Sequence, residues 1–159
     1  VLASLNIGRH QILNEYPVQV VSTGNGKVII PVNSVETLNK LNPDMELISE
    51  LSIRFGVSGF YVFTITKTDA LVHGRMFAPA YGVNEDPVTG NANSALGAYL
   101  VHNKIVEHNN TCFSFKAIQG EAMGRKGSVI VEVSITDNEP IKVRISGNAV
   151  IVYEAVISI

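Results

Sequence analysis

The sequence predicts an α+β fold: a mixed, mostly antiparallel, barrel-like sheet wrapped around a central helix. Three observations predict it. The chain carries 21 Val and 16 Ile, and these stiff β-branched residues favour strands. They fall in short runs separated by turn-forming groups such as Gly24-Asn25-Gly26 and Asp137-Asn138-Glu139-Pro140. One segment, residues 91–104 (NANSALGAYLVHNK), reads as a helix that is small and apolar almost all round. A helix with so little polar surface is wrapped by other structure rather than laid on top of it.

The elements follow in order. Residues 16–23 and 27–32 flank Gly24-Asn25-Gly26, and Asn-Gly readily takes the φ > 0 conformations that a tight hairpin requires. Ser34 caps a short helix over residues 35–41, with Glu36 and Thr37 in its first turn. Pro43 opens a second helix to about residue 55, with Met45, Ile48 and Leu51 on one face, and Gly56 ends it. Both helices are expected outside the sheet. Residues 59–66 and 71–78 form a second hairpin around residues 67–70, and a loop leads from it to the central helix. In that helix Ala92, Ala95, Gly97 and Ala98 let strands approach closely. Cys112 reads as a small buried residue of a strand, TCFSFKA. Residues 128–136, 141–146 and 149–159 form a closing meander.

Composition excludes several classes. A chain of 159 residues suits one domain, or two very small ones, and at this size buries about 70% of its unfolded surface. Net charge is −2 with no basic run, so the footprint of a nucleic-acid binder is missing. No apolar stretch approaches the roughly 18 residues of a membrane span, and residues 1–9 are too short and polar for a signal peptide. The single cysteine rules out internal disulfides, cysteine-based zinc sites and any mechanism needing two cysteines. His10, His73, His102 and His108 show no metal spacing and read as structural or surface groups. A reducing, cytoplasmic setting is compatible with this usage. Charged residues are only 16%, against about 25% in an average domain, and the first residue is Val1 rather than Met. The chain thus reads as processed, or as part of a longer protein.

Chemistry concentrates in residues 75–100. A strand ends in Phe77-Ala78-Pro79, a loop carries Glu85-Asp86-Pro87, and Thr89-Gly90 opens the central helix. The first N–H groups of a helix have no intrahelical partner, and the dipole adds positive potential there. Gly90 has no side chain, so a carboxylate can approach the backbone N–H groups of Gly90, Asn91 and Ala92. Asp86, just before, can orient or shuttle a proton. The same residues also serve plainer ends: Asp and Thr before a helix cap it, and Pro87 forms turns. The spacing alone does not show an enzyme. Arg75 reads as one half of an ion pair with Glu85 or Asp86. Gly124-Arg125-Lys126-Gly127 reads as a tight turn, lacking the spacing of a phosphate loop.

The run Glu85-Asp86-Pro87-Val88-Thr89-Gly90-Asn91-Ala92 resembles the signature of the PhzF (phenazine biosynthesis-like) family. Arg75-x-Phe77-Ala78-Pro79 before it and Leu96-x-x-Tyr99-Leu100 after it match as well. So do Val21-Ser22-Thr23-Gly24, Gln119-Gly120, Met123-Gly124-Arg125 with Gly127, and Gly147-Asn148-Ala149-Val150. The resemblance covers nearly the whole chain, and it matches the family's C-terminal half. It implies one half of a diaminopimelate epimerase-like fold, in which two similar halves each wrap a sheet around a central helix and the active site lies between them. Residues 1–15 would then be a leading segment from the inter-half connection, and residues 16–159 the C-terminal domain, its last strand exchanged with a partner half.

The family's members are isomerases of small carboxylic acids that need no metal or organic cofactor. On that resemblance Asp86 and Asn91 take catalytic positions, and Thr89, Gly90, Asn91 and Ala92 bind substrate. Two departures stand out. The family's serine is Asn91 here, an amide that can cap and donate but offers no hydroxyl, which points to a different substrate. The first half and its acid/base glutamate are absent: Glu46 and Glu50 lie on an outer helix, Glu15 precedes the domain, and Glu121 and Glu154 follow the central helix. The expected partners are a small carboxylic acid and either a missing N-terminal half or a second copy, so the isolated chain is expected to be at least a dimer. A non-catalytic, self-associating domain is the alternative. A nucleotide-binding module is weaker, because the Gly-x-Gly-x-x-Gly fingerprint is missing.

Overall fold

The structure is a computed structural model that describes residues 1–68 and 70–157. Its strands are β1 (Gln19–Ser22), β2 (Gly26–Pro31), β3 (Phe60–Ile65), β4 (Val72–Ala78), β5 (Val83–Asp86), β6 (Cys112–Gln119), β7 (Gly127–Thr136) and β8 (Glu139–Gly147). Its α-helices are α1 (Val35–Asn39), α2 (Met45–Phe55) and α3 (Gly90–His102). All eight strands join one sheet in the order β1-β2-β3-β4-β6-β7-β8, with β5 attached to β4. Pairing is antiparallel except at β2–β3 and β4–β6. Each parallel pair needs a crossover, and the two crossovers put their helices on opposite faces. The link through α1 and α2 covers the outer face, and the link through α3 fills the inner one.

The sequence explains why the centre of the sheet is buried on both faces. In β3, Tyr61 and Phe63 pack inward against Ala95, Leu96 and Tyr99 of α3. Phe60 and Val62, of opposite parity, pack outward with Leu38 and Ile48 of α1 and α2. Strand β7 has only the inner cover. Its alternation is therefore sharp, with Val129, Val131, Val133 and Ile135 buried and the residues between them more open. Close approach of β7 to α3 depends on Gly97, where an added Cβ would lie 2.8 Å from Val131 Cγ1.

Helix ends follow local chemistry. Ser34 accepts from the Thr37 N–H at 3.0 Å, as expected. The second helix is capped by Asp44, which accepts from Leu47 N–H at 3.0 Å; Pro43 lies just before this cap. Gly56 closes α2 with φ 65°, a left-handed turn that glycine adopts at no steric cost. The leading segment packs on the outer core: Leu5 is buried there, and Ile12 bridges Val32.

Three expectations change. Cys112 is exposed, not buried. Phe115 and Ala117 face α3, so Cys112 takes the opposite parity, on a stretch of sheet that α1 and α2 do not reach. Residues 83–86 form a strand where a loop was expected; Val83-Asn84-Glu85-Asp86 has little strand propensity, and its pairing with β4 creates it. Residues 149–157 form no strand and lie exposed, while residues 158 and 159 fall outside the described residues. Their valine-rich alternation suits a strand, but a strand exists only with a partner ladder, and β8 pairs only β7 among the described residues. No helix among the described residues is long and apolar enough to cross a membrane.

Candidate active site

The amino end of α3 sits where β4, β5 and β6 converge, and its preceding turn is tied down by side chains. Thr89 Oγ1 donates to Asp86 Oδ2 at 2.6 Å. Gln119, at the end of β6, donates from Nε2 to the Asp86 carbonyl at 2.6 Å and to Thr89 Oγ1 at 3.1 Å. Its Oε1 accepts from Asn93 Nδ2 at 3.1 Å and from Thr89 N–H at 3.3 Å. Asn93 Oδ1 in turn accepts from Tyr61 Oη at 2.8 Å. Tyr61 is fully buried, and burial pushes its phenol well above the ordinary range, so it stays a donor. A chain of hydrogen bonds thus runs from the core to Asp86.

This network bears on the capping role of the motif. Neither Asp86 nor Thr89 caps the helix: Thr89 occupies the N-cap position, but its hydroxyl is spent on Asp86 and forms no cap hydrogen bond. Among the described residues, no side chain accepts from the N–H groups of Gly90, Asn91 or Ala92. An uncapped helix start retains the orphan donors and positive potential that hold anions.

A cavity of about 310 Å³ opens beside it, lined by Asp86, Thr89, Asn91, Lys27, Ser58 and Tyr81, among others. Asp86, Thr89 and Asn91 are thus brought together as expected. Gly90 opens the helix beside them without lining this cavity. Ala92 is fully buried in the inner core, backbone included, and does not line this cavity.

Lys27 was not singled out from sequence. It opens the apolar run KVIIPV directly after the hairpin turn, and a lone lysine in so buried a strand is the one signal that marks it. It is 3% exposed, and no carboxylate lies within ion-pair distance of it among the described residues. Its Nζ donates to the Asn25 carbonyl and to Ser58 Oγ, each at 3.0 Å, and to Asn91 Oδ1. Burial lowers its pKa from the usual lysine value. Gln119 was noted only as part of a matching segment, and its role as the hub of the turn depends on Asp86 of β5, on Thr89, and on Asn93 of α3, all distant from it in sequence.

Other charged residues serve the frame. Arg75 makes a two-pronged ion pair with Glu85, both contacts at 2.8 Å, on the outer face. His73 Nδ1 lies 2.6 Å from Glu121 Oε2, and Lys126 Nζ is 3.2 Å from Glu121 Oε1. Residues 120–125 form a hydrogen-bonded turn, with Gly124 at φ 65°. Among the described residues no cluster of His, Cys, Asp and Glu is arranged to hold a metal ion.

The chain resembles known proteins. The sequence model of the phenazine biosynthesis-like protein family matches residues 2–155. The chain is 53% identical, over 156 residues, to an uncharacterized isomerase of Clostridium acetobutylicum, covering 97% of this chain and 52% of that protein. It is 25% identical over 135 residues to the trans-2,3-dihydro-3-hydroxyanthranilate isomerase of Pseudomonas fluorescens, covering 85% of this chain and 45% of that enzyme. The crystal structure of a Bacillus anthracis phenazine biosynthesis protein of the PhzF family superposes with a TM-score of 0.71 at 24% identity, over 91% of this chain and 53% of that one. The chain spans about half the length of the relatives it matches.

Proposed function

The chain belongs to the phenazine biosynthesis-like (PhzF) family, and we propose that it supplies the carboxylate-binding half of an isomerase that moves a proton on a small carboxylic acid without a cofactor. The observation that carries this reading is the uncapped start of α3, set beside Asp86 and facing a cavity. Backbone N–H groups at positions 90 and 91 receive the carboxylate. Thr89 holds one oxygen of Asp86, which leaves Oδ1 to orient the ligand or pass a proton. Among the described residues no glutamate lines this cavity, and on this reading the acid/base group comes from a second half, in the same polypeptide or in another. The name of the Pseudomonas relative suggests a cyclic hydroxy-amino carboxylic acid as the substrate class to try first.

The test is proton exchange in D2O. The chain is mixed with the half of its Clostridium relative that it does not match, and trans-2,3-dihydro-3-hydroxyanthranilate is followed by NMR. Deuterium incorporation that needs both parts, and that falls at least about tenfold with Asp86→Asn, is the expected result. No exchange, together with no carboxylate binding at residues 90 and 91, defeats the reading.

One observation favours a second reading, self-association without catalysis. Val150, Ile151, Val152, Tyr153, Val156 and Ile157 are each more than 80% exposed. A cavity of about 590 Å³ also runs between residues of β1 and β8, at the two ends of the sheet. An unpaired apolar segment and two free strand edges invite pairing between copies. Sedimentation gives the mass in solution: a dimer that binds no small carboxylate would favour this reading over the first.

A further inference from the structure

Lys27 and Arg75 are both buried, but only Lys27 lacks an anionic partner and lines the cavity. The Lys27 ammonium has three N–H donors, and three neutral acceptors take them: the Asn25 carbonyl, Ser58 Oγ and Asn91 Oδ1. It is therefore saturated, and it acts on a ligand only through what it holds. The group it holds toward the site is the Asn91 carboxamide.

A carboxamide accepts at oxygen and donates at nitrogen, and either end can face a site. An ammonium only donates. Beside Lys27 the amide must offer Oδ1, which turns Nδ2 away, to the side of Gly24; an added Cβ at Gly24 would lie 3.8 Å from Asn91 Nδ2. Among the described residues Nδ2 has no acceptor, so its N–H groups are free. Resting on the carboxylate reading above, we infer that Lys27 is a positioning residue that orients Asn91 so that its Nδ2 donors are the free end. A serine at this position would donate or accept as needed. With Oδ1 turned to Lys27, the end of Asn91 left free is the donor Nδ2, so the ligand atom that meets it is an acceptor, as a carboxylate oxygen is. The positive charge behind the amide also polarises it and strengthens its donors for an anion.

The experiment is a double-mutant cycle on binding of benzoate, with neutral benzamide as control, in the whole chain. Lys27→Met and Asn91→Ala should each weaken benzoate on the order of tenfold and weaken benzamide, whose acceptor is uncharged, by less. The double variant should bind no more weakly than Asn91→Ala alone, because Lys27 acts through Asn91. Lys27→Gln, which keeps an N–H donor, should recover part of the loss. Lys27→Met weakening benzoate equally in the Asn91→Ala background, or not at all, overturns the inference. If wild type does not bind benzoate, the carboxylate reading fails, and the 15N-resolved Asn91 side-chain NH2 signals decide the inference on their own. A shift of those signals with Lys27→Met that Lys27→Gln reverses supports it; signals that stay in place overturn it.

Discussion

Two buried cations, on opposite faces of the same sheet, are treated in opposite ways. Arg75 on the outer face is fully matched: both oxygens of Glu85 accept from it at 2.8 Å, and the Leu38 and Leu41 carbonyls accept from its third nitrogen at 3.1 and 3.0 Å. Its guanidinium also lies 5.0 Å from the centre of the Phe77 ring. One residue thereby locks β4, β5 and the end of α1 together. Lys27 has comparable burial but only neutral acceptors, and it borders a cavity. A buried charge with a complete partner set belongs to the frame. A buried charge without a counter-ion is a cost that an anionic ligand can relieve.

The largest expected effect tests the outer face. Arg75→Met leaves Glu85 buried without a partner, and should destabilise the chain by about 3–5 kcal/mol in urea unfolding. Replacing both partners, with Arg75→Met and Glu85→Leu, should recover most of that loss. If the double variant is as unstable as the single one, the carbonyl contacts rather than the ion pair carry the lock.

Lys27→Met should behave differently, changing stability by less than about 1 kcal/mol near neutral pH, because a charge that is costly to bury is removed. The pH dependence sharpens this. The folded-state pKa of Lys27 lies below the unfolded 10.5, so between the two values the unfolded chain binds more protons. Stability should therefore rise with pH in that window in wild type. Chemical denaturation at several pH values should show that rise diminished in Lys27→Met; identical profiles would mean that burial of Lys27 costs nothing.

The smallest effect concerns Glu121, at the turn after β6. Partial burial raises its pKa, but hydrogen bonds from His73 and Lys126 outweigh this and leave it below the usual carboxylate value. A depressed carboxylate stabilises above its unfolded pKa, and the gain is lost as pH falls through the folded value. Glu121→Gln should cost less than about 1 kcal/mol at pH 7. The gap from wild type should close in acid, as melting temperatures measured from pH 7 down to 3 would show.

Much of the frame was legible because its signals are local. Ser34 and Gly56 mark helix ends through side-chain and backbone chemistry within a few residues. The apolar alternation of β7 and the small face of α3 announce which side is covered. The motif around Asp86 and Thr89 was legible as a site, but its hydrogen bonding was not. The expected Asp/Thr cap is absent because Thr89 turns to Asp86 and Gln119 arrives from β6, 30 residues further on. Residues 83–86 could not be read as a strand, since pairing with β4 alone makes them one. Cys112 was misplaced for a related reason: which face of a strand is covered depends on how far the outer helices reach.

By itself, the sequence determined most of the element order, the buried central helix, the outer helices and the position of the motif around Asp86 and Thr89. Those follow from periodicity, capping and turn chemistry, all short-range. Only the tertiary structure decided that Lys27 stands behind Asn91, 64 residues away, and that Arg75 chooses Glu85. It also decided that residues 149–157 remain unpaired. Charge pairing and strand pairing both depend on which distant groups the sheet brings together, and no local pattern in the chain encodes that.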